Sequence, residues 1–334
     1  MPSETRYVLV KGDLGLGNRI LCLLSALLLA RLTGRRLLVD WRDPLYARDG
    51  GNAFPELFSC DLAAPLDELP NTDSVAPRAW RGRLDATAHE LRREVFGPTW
   101  VDPLAWEPFS IDLARIDRPE RVLVFTSFFD LIDPLRRFLT GPHAALRRTS
   151  TDALLRRLWD EHLSLAPALR ARVDAFRAGA LDGPSIGVHV RASDLRTRDT
   201  AIERAVARAV ARRPELTVFL ATDNRDVVER YRRRFARVVT TPKWYPPPGE
   251  PMHDHPDRPD GLLGAADALV DLHLLAACEH LVMDSRSSFG RLATLRSSAD
   301  RGAIVDLHPG RHVPLALRRR VMRLRTRLSR LAYS

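Results

Sequence analysis

A chain of 334 residues is too long for one typical core and suits two domains. Hydrophobic residues at 45% exclude a disordered chain, and three cysteines without C-x-x-C spacing exclude a disulfide framework or zinc site and fit a reducing compartment. The formal charge of +10 invites anionic partners, yet Lys11 and Lys243 are the only lysines, so a composition biased toward arginine explains much of it; aromatics at 7% are too few for an RNA-binding surface.

The N-terminal MPSETRYVLVKG lacks the basic and apolar regions of a signal peptide, which predicts a cytoplasmic protein. A strand is predicted at Tyr7 to Val10, then a turn carrying Gly12, Gly15 and Gly17, then a helix from Arg19 to Leu32. Two familiar phosphate turns fail on spacing. Ile20 stands where a dinucleotide fingerprint needs its third glycine, and Asn18 and Arg19 stand where a P-loop needs Lys and Ser or Thr. The plain alternative is a tight turn whose glycines supply positive φ. Ile20 to Ala30 is apolar except Ser25, too short to span a bilayer, and reads as a buried helix. Further strands are predicted at Arg36 to Asp40 and Arg121 to Ser127, with a proline-bearing, loop-rich insertion over 43–106 between them. A helical stretch, Thr151 to Ala180, and the turn Asp182-Gly183-Pro184 close the first half.

The second half opens on a strand, Ser185 to Val190, that runs into GVHVRASD. Alternation puts His189 and Arg191 on one side of it, and an arginine at a strand end can form a fork on a phosphate. Asp194 can orient that arginine or a sugar hydroxyl. A helix, Ala201 to Arg213, leads to the strand Thr217 to Thr222 and FLATDNRD, where capping of the helix Arg225 to Phe235 is the expected role of Asp223. MHDHPDRPD, with His253, Asp254, His255 and Asp257, is expected to be solvated rather than a metal site. The apolar helix Leu262 to Cys278 carries Asp267 and Asp271 at i, i+4. A carboxylate there is expensive unless paired, and guanine offers two adjacent N–H donors to one. The strand Leu281 to Asp284 meets the turn Ser285 to Ser288 and a helix from Phe289, whose N-terminus suits an anion and whose serines suit ordinary capping. A last strand is predicted at Ala303 to Leu307. The tail holds seven arginines between Arg318 and Arg330, with Leu317, Val321, Leu324, Leu328 and Leu331 on one stripe: a packed terminal helix or an anionic-membrane contact.

Strands alternating with helices predict an α/β protein with two Rossmann-like domains, parallel sheets facing a cleft and ligands beyond their carboxyl ends. The domains are expected at 1–182 (acceptor side), 183–310 (nucleotide side) and a basic helix at 311–334.

Taken in order, the glycine turn, TGRRLLVDWRDPLY with GNAFPELF, GVHVRASD, FLATD, and ALVDLHLLAACEHLV with RSSF resemble the α-1,6-fucosyltransferase family of NodZ and the eukaryotic N-glycan core fucosyltransferases. The resemblance covers residues 7–296 and is nearest to the NodZ branch over Thr33 to Phe58. It implies a GT-B fold, GDP-fucose as donor, inversion at the fucose carbon, no cofactor or metal, and a glycan or lipo-chitooligosaccharide acceptor. It implies Arg191 at the diphosphate, His189 and Asp271 at the guanosine end, Asp223 at the donor, and Ser287, Ser288 and Phe289 at the phosphates. The turn bearing Gly15, Gly17 and Asn18 would face the diphosphate from the first domain. The core fucosyltransferases carry an acidic residue with a proposed role as base where Asp199 stands, with Asp194 as rival. That branch carries lysine where Leu195 stands, a place Arg196 would have to fill. The chain contains no Asp-x-Asp, the usual holder of a metal in GT-A enzymes, so arginines would neutralise the leaving group, with Arg196 and Arg198 joining Arg191. The rival readings are a GT-B enzyme of another linkage or GDP-sugar, and a catalytically inactive glycan- or nucleic-acid-binding protein. Peripheral attachment at the inner membrane face through 315–334 is the added expectation.

Overall fold

The computed structural model describes residues 4–47, 50–97, 104–192, 199–247 and 260–308. In chain order the elements are β1 (Tyr7–Lys11), α1 (Leu16–Thr33), β2 (Arg36–Asp40), α2 (Ala53–Leu57), β3 (Phe58–Cys60), β4 (Ala63–Ala64), β5 (Val75–Ala76), α3 (Ala88–Phe96), β6 (Val122–Phe125), α4 (Ile132–Leu135) and α5 (Thr151–His162). They continue with β7 (Leu163–Leu165), α6 (Pro167–Ala180), β8 (Ser185–Val190), α7 (Asp199–Arg212), β9 (Thr217–Thr222), α8 (Arg225–Arg234), β10 (Val238–Val239), α9 (Gly261–Ala277), β11 (His280–Met283), α10 (Ser288–Arg296) and β12 (Ile304–Asp306).

Two compact units result. The first holds the chain up to Asp43 and Cys60–Ser164, around a five-stranded sheet of order β4-β2-β1-β6-β5 whose assigned pairings are parallel. β1 is buried at every position, because a strand covered by helices on both faces needs apolar residues throughout. The second unit holds Pro44–Ser59 and the chain from Leu165, around a parallel five-stranded sheet of order β10-β9-β8-β11-β12. Its core joins Ile186, Val188 and Val190 of β8 to Ile202 and Val206 of α7 and Tyr231 of α8.

Several expectations change. Residues 44–59 and α6, expected with the first domain, fall in the second unit. There α6 and α2 pack on α9, and a side chain at Gly261 would strike the carbonyl of Leu45. The stretch Thr151 to Ala180 is two helices with β7 between them, broken before Pro167. α1 has 18 residues, long and apolar enough to cross a membrane by length and composition, but 78% of it is buried within the protein, as befits a core helix. Positive φ in the first turn falls on Leu14, at 58°, and on none of its glycines. Gly12 is there for space: a Cβ would meet the Arg19 guanidinium and, at 2.6 Å, the Trp41 ring.

Candidate functional site

Within the second unit the carboxyl ends of β8, β9 and β11 bring polar residues to one sheet edge, because the strands are parallel and His189 lies opposite Ala221. His189, the fifth residue of β8, is 6% exposed and packs against Phe289 of α10, with ring centroids 5.0 Å apart and planes tilted by 38°. Its Nδ1 is buried and, among the described residues, has no hydrogen-bond partner. Gly290 makes room for it: a Cβ there would stand 3.3 Å from that nitrogen and 3.0 Å from the Asp284 carbonyl. Burial, and then the nearby Arg191 and Lys243 charges, push the His189 pKa down to about 4 against Asp223 and Asp284. The ring is therefore neutral at pH 7, with one nitrogen a donor and the other an acceptor.

α10 begins where β11 ends. Ser287 stands at its N-cap without a side-chain capping bond, and its buried Oγ has no hydrogen-bond partner among the described residues. The N–H groups of the first helical turn have no intrahelical acceptor either. A neutral imidazole, a hydroxyl and a helix N-terminus thus meet on one turn, Ser287 to Gly290, an arrangement suited to a polar anion such as a phosphate. The turn is braced from below. Asp284, fully buried, accepts from Arg286 Nε at 3.0 Å and Nη2 at 2.6 Å and from the Arg286 amide at 3.0 Å, and it faces His308 Nδ1 at 3.1 Å. Burial alone would raise its pKa, but the Arg286 bonds hold it below the usual carboxylate range. Asp306 accepts from the Ser285 amide at 3.0 Å.

At the neighbouring strand end, Asp223 does not cap α8. Asn224 does, accepting from the Asp226 and Val227 amides at 2.7 and 3.2 Å. Asp223 instead accepts from the Ala192 amide at 2.9 Å and so fixes the backbone just past Arg191. Arg191 is half-buried and held among partners. Ser288 opens α10.

On α9, Asp267 and Asp271 share a face but not a role. Asp267 pairs with Arg172 of α6 at 2.5 Å near the surface. Asp271 is 4% exposed, accepts from Thr241 Oγ1 at 2.6 Å through Oδ1, and pairs with Lys243 through Oδ2. Burial lowers the lysine pKa, but Asp271 and Tyr245 raise it further, so it is elevated overall and the ammonium persists. Thr241 and Lys243 follow β10, a two-residue strand with no periodicity to read. The signal that could have found Lys243 is its rarity, one lysine in a half otherwise served by arginine.

In the first unit the turn after β1 is held by three buried ion pairs. Lys11 meets Asp40 at 2.5 Å, Arg19 meets Asp43 at 2.6 Å, and Asp13 meets Arg92. Burial pushes the Asp13 carboxyl up despite Arg92 and Arg19. Gly15 is the N-cap of α1 in extended backbone, and a Cβ there would meet no atom within 4 Å; Gly17 and Asn18 lie in the first turn, and the Asn18 amide donates to the Gly15 carbonyl at 3.0 Å. Asp199 opens α7 and lies 3.4 Å from Arg230. Asp194, Leu195, Arg196, Arg198, His253 to Asp257 and the basic tail lie outside the described residues. Among the described residues no group of three or more His, Cys, Asp or Glu is placed to hold a metal.

Residues 143–322 match the family described as Nodulation protein Z (NodZ). Nodulation protein Z of Bradyrhizobium diazoefficiens is 28% identical over 344 residues, covering 92% of this chain and 84% of that protein. The crystal structure of a NodZ α-1,6-fucosyltransferase co-crystallised with GDP is 25% identical, with TM-score 0.60, over 88% of this chain and 93% of that one. A second, of the NodZ enzyme soaked with GDP-fucose, has the same coverage, 23% identity and TM-score 0.58.

Proposed function

The chain belongs to the NodZ family, and from that premise we propose that it is an inverting GT-B α-1,6-fucosyltransferase. It moves fucose from GDP-fucose to a hydroxyl, O6 of N-acetylglucosamine, on a glycan or lipo-chitooligosaccharide. The structural observation that carries the reading is the turn Ser287 to Gly290, where two buried polar atoms without hydrogen-bond partners among the described residues, His189 Nδ1 and Ser287 Oγ, meet a helix N-terminus. The related crystal structures, with GDP and with GDP-fucose, support the donor.

In this reading the guanine lies against Asp271, whose carboxylate accepts from its two adjacent N–H groups. His189 serves the guanosine end, and Ser287, Ser288 and the α10 N-terminus hold phosphate oxygens. Charge grows on the β-phosphate as the glycosidic bond breaks, and Arg191 counters it where a metal otherwise would. Asp199 or Asp194 takes the proton of the attacking hydroxyl. Metal independence rests on a sequence without Asp-x-Asp. The enzyme is proposed to be cytoplasmic, with residues 315–334 touching the inner membrane face, on the strength of their arginines and apolar stripe.

The test is transfer of fucose from GDP-fucose to chitooligosaccharide, with the linkage read by NMR, alone and in excess EDTA. An α-1,6 product formed equally in both is expected. No transfer refutes the enzyme reading, another linkage refutes the acceptor atom, and a loss in EDTA restored by Mg²⁺ refutes metal independence alone.

A further inference from the structure

Fifty-two side chains in this protein are lysine or arginine, and only two of them, Lys11 and Lys243, are lysine. Both are buried against an aspartate, each near the carboxyl edge of its own sheet. Lys11 is a structural tie: besides Asp40 it donates to the carbonyls of Leu84 and Ala86, at 2.6 and 2.8 Å, and fastens that loop to β1. Lys243 is placed differently. Its ammonium meets one oxygen of Asp271, the buried carboxylate of α9, while Thr241 takes the other oxygen at 2.6 Å. Lys243 follows β10 in the sheet whose β8 carries His189, and α9, which carries Asp271, packs on β8.

The difference between lysine and arginine decides what such a carboxylate can still do. An arginine forks across both oxygens and uses up the carboxylate edge. An ammonium is a compact point charge that takes one lone pair. An ionised carboxylate has about four lone-pair directions, of which Thr241 and Lys243 use one each. The remainder can accept from two adjacent N–H groups. Without a cation to hold it, a carboxylate buried on this helix would be an uncompensated charge, free to turn toward other donors, and its two-point match to a guanine would be lost.

We infer that Lys243 is a positioning residue that sets base specificity at the nucleotide site, by holding Asp271 as an acceptor-only carboxylate with an edge left open for two N–H donors. The inference rests on the nucleotide reading given above. It reaches beyond it by assigning the selectivity to a residue that touches the carboxylate rather than the base.

The test measures GDP and IDP affinities by calorimetry on the full chain. IDP lacks the exocyclic amine and so lacks one of the two donors. Wild type should prefer GDP at least tenfold. Lys243→Met should shrink that preference below threefold. Lys243→Arg, which keeps the charge but forks over the carboxylate, should fold with the wild-type melting temperature yet bind GDP at least tenfold more weakly. The inference is overturned if Lys243→Met keeps the tenfold preference, or if Lys243→Arg binds GDP as wild type does. Wild type binding GDP and IDP alike also overturns it. A wild type that binds neither nucleotide refutes the donor-site reading itself, a separate outcome. Should Lys243→Met fail to fold, the Lys243→Arg measurement decides.

Discussion

Arg191 is the first residue past β8, and in an enzyme its value lies in the transition state. A fork that tightens on the β-phosphate as GDP departs accelerates the chemical step, whereas equal contact with bound donor would not. Arg191→Lys keeps the charge and loses the planar two-point contact. It should lower kcat at least tenfold, about 1.4 kcal/mol of barrier, while GDP affinity changes less. Wild-type turnover in that variant would reduce Arg191 to an ion-pair residue. His189 makes a different prediction, on stability. Its folded pKa is pulled by burial to about 4 from an ordinary 6.5. Between those values the unfolded chain binds a proton that the folded chain does not, so the stability it lends is full above pH 6.5 and is lost as the pH falls toward 4. The shift corresponds to roughly 3 kcal/mol at most. Urea midpoints of wild type should fall faster from pH 6.5 to 4 than those of His189→Gln; parallel slopes would contradict a buried neutral ring.

At the scale of elements, α10 earns attention for its first turn. Alanine is a better helix former than glycine by about 1 kcal/mol, so Gly290→Ala would ordinarily stabilise. Here its methyl would crowd the Asp284 carbonyl, at 3.0 Å, and the His189 ring. GDP affinity should drop at least fivefold, and unchanged affinity would show that the His189–α10 contact does not shape the site. In the other unit, Gly12→Ala would press on Arg19 and Trp41 and should cost about 1–3 kcal/mol in urea unfolding, the usual range for overpacking. These contacts also show what the sequence makes legible. β8 and β9 have the predicted bounds, because apolar runs end there in polar turns. β4, β5 and β10 have two residues each, too few for any period. α3 went unread although Thr87 and Glu90 form a capping box before it, a signal open to inspection. His189 and Ser287 were legible because strand ends and helix starts mark them in one dimension. The Lys243–Asp271 pair was not, since it joins residues 28 apart through the fold alone. Leu14 was hidden in the same way: its positive φ is enforced by Asp13 Oδ1 accepting its own amide and by Arg19 Nε binding its carbonyl, each at 2.9 Å, while glycines stand nearby as decoys.

For the whole molecule, the two compact units do not follow the linear halves of the chain. The predicted division near residue 182 rested on a Gly-Pro turn, while the chain in fact lends 44–59 to the second unit, an exchange that no local composition announces. The net charge of +10 belongs to the whole chain too, and its densest run is the tail. Deleting 315–334 should release the protein from anionic vesicles and leave its melting temperature within a few degrees; unfolding on deletion would instead make the tail a packed helix of the body. One further consequence follows from the cysteines. Cys22 on α1 and Cys278 just past α9 are both buried, one in each unit, and burial pushes the thiol of Cys22 up and that of Cys278 up to about 12. Neither reacts with an alkylating reagent while its surroundings stay closed, because the thiolate is the reactive form. Nature has therefore set a silent chemical clock in each half. Pulsed alkylation read by peptide mass spectrometry times the opening of each unit by itself, and its two rates, equal or unequal, say whether the halves come apart as one cooperative body or as two.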